Sequence, residues 1–237
     1  MSIVSSPSTA AGADAPAQRT RQTRAPVTRH DVLVAALGLV DREGLDELSL
    51  RKLAAELDVE TMSLYKRVAS KDDLLAGVAE LIWDEVAAAA PPQDDWGAWL
   101  RSLGRAIRAA VHNHPRAVPL LSVIEVFPVP LLEVIATQLE RASGGWPPRD
   151  EAVSAVWAAS AFALGTAMTE VCLYCGGAAP ADDPAATERQ QLRRILLALP
   201  DDAPDRLVET ALAVCGHDVD DMFTKGLDLI IRGGQPV

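Results

Sequence analysis

The sequence predicts an all-α fold: a small N-terminal unit of three helices followed by a larger helical domain. Three observations carry this. Apolar residues make up 49% of the 237 residues but aromatic residues only 4%. Ala and Leu fill the difference, which suits close-packed helices better than strands, whose pleated surface favours β-branched and aromatic side chains. Apolar positions then recur at i, i+3 and i+4 through most of the chain, with no alternating stretch of useful length. Finally, the breaks between periodic segments carry helix caps and stops. No internal repeat is found.

Residues 1–25 are rich in Ser, Ala, Thr, Gln and Pro and lack hydrophobic periodicity. They are expected to be a disordered tail, with Arg19, Arg21 and Arg24 either solvated or forming a basic arm that touches DNA. Thr28 with Asp31 has the spacing of a capping box, and Val32, Ala35, Ala36, Leu39 and Val40 share one helical face up to a stop at Gly44. Ser49 caps a second helix with Leu50, Leu53, Ala54 and Leu57 at helical spacing. Asp58 makes a turn. A third helix is expected over 60–67 with Leu64 and Val68 facing inward. Ser70 with Asp73 caps a fourth, which runs to Ala90 before Pro91-Pro92. Further helices are expected over about 95–113, 116–126, 129–142 and 149–174. A loop over 176–186 separates these from three last helices over about 187–199, 204–215 and 219–232.

The formal charge of −11 and a pI near 4.8 argue against a general nucleic-acid binder. They leave room for a protein whose basic surface is confined to one small module. The segment from Leu48 to Lys71 supplies such a module: short helix, tight turn, second short helix, with Thr61, Ser63, Tyr65, Lys66 and Arg67 on the outer face of the second. That is the pattern of a helix-turn-helix. Thr61 and Ser63 can donate to bases or phosphates, and Met62 can touch a thymine methyl. Tyr65 can reach a phosphate, and Lys66 and Arg67 carry charge. Arg51, early in the second helix, suits a guanine edge or a phosphate. Lys71, at the start of the fourth, suits a phosphate. As merely solvated helix faces these residues would not need this ordered combination.

The chain resembles the TetR family. The resemblance rests on Ala35 to Gly44, Leu48 to Ala54, Met62 to Val68 and Lys71 to Leu75, and more weakly on Ser160 to Gly165 and Met222 to Gly233. It implies an N-terminal DNA-binding domain (26–73) and a ligand-binding and dimerisation domain (74–237). It also implies that Arg51, Thr61, Met62, Ser63, Tyr65, Lys66, Arg67 and Lys71 occupy DNA-contacting positions. Lys66-Arg67 stands where many members have an aromatic or basic residue followed by His, so no base preference carries over.

The segment from Arg149 to Tyr174 is apolar on all sides, as in a helix buried all round. Ala152, Ala155 and Ala159 form a small-residue stripe along it, and Phe223, Gly226, Leu227 and Ile230 form a stripe on the last helix. The resemblance implies that these two helices pair with their copies in a homodimer, which would place two recognition helices on a palindromic double-stranded operator. Candidate ligand-pocket residues are Trp83, Trp99, Leu103, Ile107, Leu121, Ile135, Leu139, Phe162 and Met168, each of which core packing would also explain. Gln138 matches a drug-contacting Gln of tetracycline repressors. The metal-binding His and Glu of those repressors correspond to Ala161 and Thr169, which cannot ligate. The expected effector is therefore a metal-free, small apolar or amphipathic molecule, with no cofactor.

Cys172, Cys175 and Cys215 are too few for a disulfide framework. Cys172-x-x-Cys175 has no matching pair for zinc unless the fold brings His112 and His114 close, so free thiols are expected. His112 and His114 are read as C-terminal helix charges. No apolar leader or charge-free run of spanning length is read, giving an expected cytoplasmic protein without a membrane partner. An all-α enzyme or a helix-turn-helix adaptor that has lost DNA binding are the alternatives. Against the first, the chain has no HExxH, GxSxG, P-loop or GxGxxG.

Overall fold

The computed structural model describes residues 26–121, 128–141, 148–174, 193, 197, 199–200, 202–215 and 218–233. The expected tail, the 176–186 loop, Cys175, most of the 187–199 helix and the end of the 116–126 helix lie outside the described residues. Those described form α1 (Arg29–Glu43), α2 (Leu50–Glu56), α3 (Thr61–Leu64), α4 (Lys71–Ala89), α5 (Trp96–Asn113), α6 (Val118–Leu121), α7 (Val129–Arg141), α8 (Arg149–Tyr174), α9 (Asp205–Cys215) and α10 (Val219–Gly233), with one 3₁₀ turn at Leu45–Glu47. No strand occurs among them.

Local sequence sets the helix starts. Thr28 and Asp31 form a full capping box, the Thr28 hydroxyl accepting from the Asp31 amide while the Asp31 carboxylate accepts from the Thr28 amide. Ser49 accepts from the Lys52 amide and Asp95 from the Ala98 amide. Ser70 caps α4 as expected, but Asp73 does not return its carboxylate to the Ser70 amide; it accepts instead from the Ala69 amide at 2.7 Å. Asp58, at φ 54°, and Gly44, at φ 98°, take the turns after α2 and α1. The third helix is shorter than the expected 60–67. After one α turn the Arg67 amide bonds the Leu64 carbonyl, an i to i−3 contact that tightens the chain before Val68.

α1–α3 pack around Val32, Ala36, Leu39, Val40, Leu53, Ala54, Leu64 and Val68. α4 belongs to both units, lying against α1 on one side and against α5 and α7 on the other. The expected boundary after residue 73 therefore falls inside a continuous helix. In the larger unit α5 packs along most of α8, and α10 closes over both. Over Arg149–Val171, 23 residues, α8 is long and apolar enough to cross a membrane by length and composition, contrary to the expectation from sequence. It packs on α5 and α10 along one side, and about a third of this apolar stretch is buried.

Candidate nucleic-acid interface and effector domain

The helix-turn-helix presents its predicted residues outward. Met62 is 71% exposed despite its apolar side chain, and Tyr65 is half exposed. Arg51, Ser63, Lys66, Arg67 and Lys71 are exposed, and Thr61 is partly so. Leu64 and Val68, at 1% each, anchor the element to the core from below. The cations of this unit fall into two sets. Arg42 pairs with Glu56, Lys52 with Glu43 and Glu47, and Arg29 with Asp73. Arg51, Lys66, Arg67 and Lys71 enter no ion pair among the described residues, so their charge is available to phosphate.

Arg29, which carries no motif signal in the sequence, is the most connected of these cations. Its Nη1 and Nη2 donate to the Asp73 carboxylate at 2.9 and 2.7 Å, and Nη1 also donates to the Arg67 carbonyl at 3.0 Å. The hydrogen bond from Arg29, then that from the Ala69 amide, hold the Asp73 carboxyl below its usual range. The Asp73 hydrogen bond likewise raises the Arg29 guanidinium.

The two units are joined by a second polar contact. His114 lies between α1 and α4, its Nδ1 2.9 Å from Asp41 Oδ2 and its Nε2 3.1 Å from Glu85 Oε2. Arg116 donates to the Arg42 and Asp41 carbonyls at the end of α1. These residues link the end of α5 to α1: His114 is the C-cap of α5, as read from the sequence, and also bridges the two units.

Inside the larger unit, Trp83, Trp99, Leu103, Ile107, Leu121, Ile135 and Leu139 are buried, while Phe162 and Met168 are partly buried. Trp99 Nε1 donates to the Ala90 carbonyl at 3.2 Å, and the Trp96 and Trp99 rings lie 5.2 Å apart. Gln138 is buried with both amide ends engaged. Its Oε1 accepts from the Gln93 amide at 2.8 Å and its Nε2 donates to the Gln93 carbonyl at 2.9 Å. In this conformation it clasps the α4–α5 connection. Phe162 stacks on Phe223 of α10, centroids 5.8 Å apart, and so faces α10.

A polar network missed from sequence lies between α5, α8 and α10. The Glu170 carboxylate, 4% exposed, accepts from Arg108 Nε at 2.8 Å and meets His112 Nε2 at 2.6 Å. Arg108 also pairs with Asp220 at 2.6 Å and covers the Phe223 ring. Burial opposes the charge of Arg108, but the Glu170 and Asp220 hydrogen bonds outweigh it and raise its pKa. A depression of about 290 Å³ opens here, lined by Arg105, Arg108, Ala109, His112 and Asp220. The i, i+4 pair Arg108–His112 was the available signal, but nothing in the sequence aligns it with Glu170, 58 residues beyond His112. The side chains of Cys172 and Cys215, like Cys175 as a whole, lie outside the described residues.

Four of the residues expected at the dimer interface are taken up within the protomer. Ala152, Ala159, Phe223 and Leu227 are at most 1% exposed within a single chain. Ala155, Gly226 and Ile230 are partly buried. A side chain at Gly226 would collide with the Phe162 ring, so this glycine serves the close approach of α8 and α10 within the protomer. The exposed apolar or small residues of these two helices include Val153, Ala161 and Gly165 on α8 and Met222 and Leu229 (67%) on α10. Because α8 is apolar all round, periodicity could not tell its inner from its outer face.

Comparison with known proteins adds to this geometry. Residues 32–78 match the model described as bacterial regulatory proteins, tetR family, and residues 88–235 match the tetracyclin repressor-like C-terminal domain. An HTH-type transcriptional regulator of Saccharopolyspora erythraea is 30% identical over 105 residues, 44% of each chain, so the match spans less than half of that relative's length. The class D tetracycline repressor of Escherichia coli is 28% identical over 215 residues, 88% of this chain and 89% of that one. Among solved structures, Streptomyces coelicolor ActR in complex with actinorhodin is similar, with a TM-score of 0.70, 26% identity, and coverage of 88% of this chain and 97% of that one.

Proposed function

The chain belongs to the tetR family of bacterial regulatory proteins, and from that premise we propose that it is a transcriptional repressor. It binds a palindromic operator as a homodimer in the cytoplasm and is released by a small effector. The observation that carries the DNA-binding half is the outward face of α2–α4. There Arg51, Lys66, Arg67 and Lys71 are exposed and unpaired among the described residues, while Met62 on the one-turn α3 and Tyr65 at its C-cap are exposed beside them. An exposed apolar Met beside four unneutralised cations fits base-edge and phosphate contact.

The dimer we infer from the exposed apolar and small residues Val153, Ala161 and Gly165 on α8 and Met222 and Leu229 on α10. Apolar exposure on this scale is what a partner surface covers. The effector we infer from the match of the larger unit to the tetracyclin repressor-like C-terminal domain; the side chains around Trp83, Trp99, Leu103, Ile107 and Leu139 are apolar, as the lining for an apolar or amphipathic molecule would be. Ala161 and Thr169 stand where a metal-chelating site would need ligands. ActR with bound actinorhodin gives a precedent in a similar protein for a small organic effector. The test is a gel shift of full-length protein on the promoter DNA beside its own gene. A discrete complex at moderate salt that Tyr65→Ala weakens supports the proposal; no shift, or an unchanged shift with Tyr65→Ala, overturns it.

A further inference from the structure

We propose that Arg29 and Asp73 are positioning residues for DNA recognition: their forked pair grips the backbone between Arg67 and Ala69 and so sets the height and angle of the recognition element. The inference rests on the DNA-binding function proposed above. The element they would position is slight. α3 has four residues, a single buried side chain in Leu64, and no side-chain cap from Glu60 at its start. One turn of helix does not hold its own geometry.

The backbone just after α3 is gripped from two sides by one ion pair. Arg29 Nη1 donates to the Arg67 carbonyl at 3.0 Å, and Asp73 Oδ2 accepts from the Ala69 amide at 2.7 Å. The two side chains close on each other at 2.7 and 2.9 Å. The grip thus spans α1, the end of the recognition element and α4. Lys66, Arg67 and Lys71 flank the held segment. Packing of Leu64 and Val68 fixes the depth of the element, but an apolar contact is non-directional. Two directed hydrogen bonds to its backbone fix its orientation.

Gly77 on α4 lies beneath the fork. A side chain there would stand 2.6 Å from Leu33 Cδ2 and 3.3 Å from Arg29 Nη2. The close approach of α1 and α4 that supports the fork depends on its absence. The pair is also electrically neutral, unlike Arg51, Lys66, Arg67 and Lys71, so it adds little attraction for phosphate. An exposed ion pair by itself contributes little to stability. Tied to the backbone of the reading element, it has a different use.

The test is fluorescence anisotropy of the full-length protein over a salt series. Its probes are a duplex selected by the wild type from a random-sequence pool and a scrambled duplex of the same composition. Arg29→Gln with Asp73→Asn removes the pair at constant net charge. The expected result is a loss of about tenfold or more on the selected duplex, with scrambled-duplex affinity and salt slope unchanged. Affinity for the selected duplex within about twofold of wild type overturns the proposal, as does a salt slope lower by about one, the mark of a lost phosphate contact. If the double variant does not fold, Arg29→Lys decides. It keeps the charge but cannot fork, and wild-type affinity in that variant overturns the proposal. A wild type that selects no sequence at all sinks the DNA-binding function itself, and the positioning role with it. Discrimination shared equally by wild type and variants sinks the positioning role alone.

Discussion

Arg29, Arg42 and Lys52 are neutralised by carboxylates of their own unit, while Arg51, Lys66, Arg67 and Lys71 are exposed and unpaired among the described residues. This division assigns each set a different consequence on substitution. Arg67→Ala is expected to weaken binding to all DNA sequences alike and to lower the salt slope by about one. Thr61→Ala or Ser63→Ala is expected to change sequence preference with the slope intact, measured by anisotropy on selected and scrambled duplexes. Asp73 supplies a pH prediction. Its folded-state pKa is depressed, first by Arg29 and then by the Ala69 amide. Its contribution to stability is therefore complete above the ordinary carboxylate range and is lost as pH falls through the folded value. Thermal melts taken from about pH 6 down to about pH 3 should show the wild type losing melting temperature more steeply than Asp73→Asn. Equal slopes would contradict this. The exposed set was legible in the sequence because each member lies within one short motif. Arg29 was not, since its partners are 38 and 44 positions away.

At the scale of the element, helix starts were the most legible feature, because a cap is a contact over three residues. Thr28, Ser49 and Ser70 all cap as read from the sequence, and the structure adds Asp95. Thr28→Ala should cost about 1 kcal/mol in chemical denaturation, since it removes the hydroxyl that accepts from the Asp31 amide while leaving the Thr28 amide bonded to the Asp31 carboxylate. The phase of α8 was not legible. Its inner stripe, Ala152, Val156, Ala159, Ala163 and Ala167, and its outer stripe, with Val153, Trp157 and Ala161, are both apolar. Only the packing of α5 and α10 distinguishes them. Buried and exposed positions should respond differently to substitution. Ala159→Leu overfills a fully buried site and should cost about 1–3 kcal/mol of protomer stability. Leu229→Glu, at an exposed site on α10, should leave the protomer folded but convert a dimer to a monomer, read by analytical ultracentrifugation. Gln138 illustrates another limit of sequence: a buried amide was identifiable, but its two bonds to the Gln93 backbone depend on α4–α7 packing.

At the scale of the whole molecule, α4 connects the two functions. It begins with Lys71 at the proposed DNA face, packs on α1, and continues into the core against α5 and α7. Glu85 of α4 and Asp41 of α1 meet across His114, at the end of α5. A change in the packing of α5 therefore has a direct polar route to α1. Long-range arrangements of this kind, like the Glu170 network, are set by topology and left no mark in the local sequence, whereas the all-α class and the acidic body with one small basic module were plain from composition and motif. The central claim is that this module reads operator DNA. The most direct measurement is the gel shift on the promoter DNA beside the chain's own gene, with wild type and Tyr65→Ala side by side. The account predicts a discrete, sequence-dependent complex containing two protomers, weakened by Tyr65→Ala at unchanged protein stability. A protein that shifts no such fragment at moderate salt, or shifts it identically with Tyr65→Ala, contradicts the account.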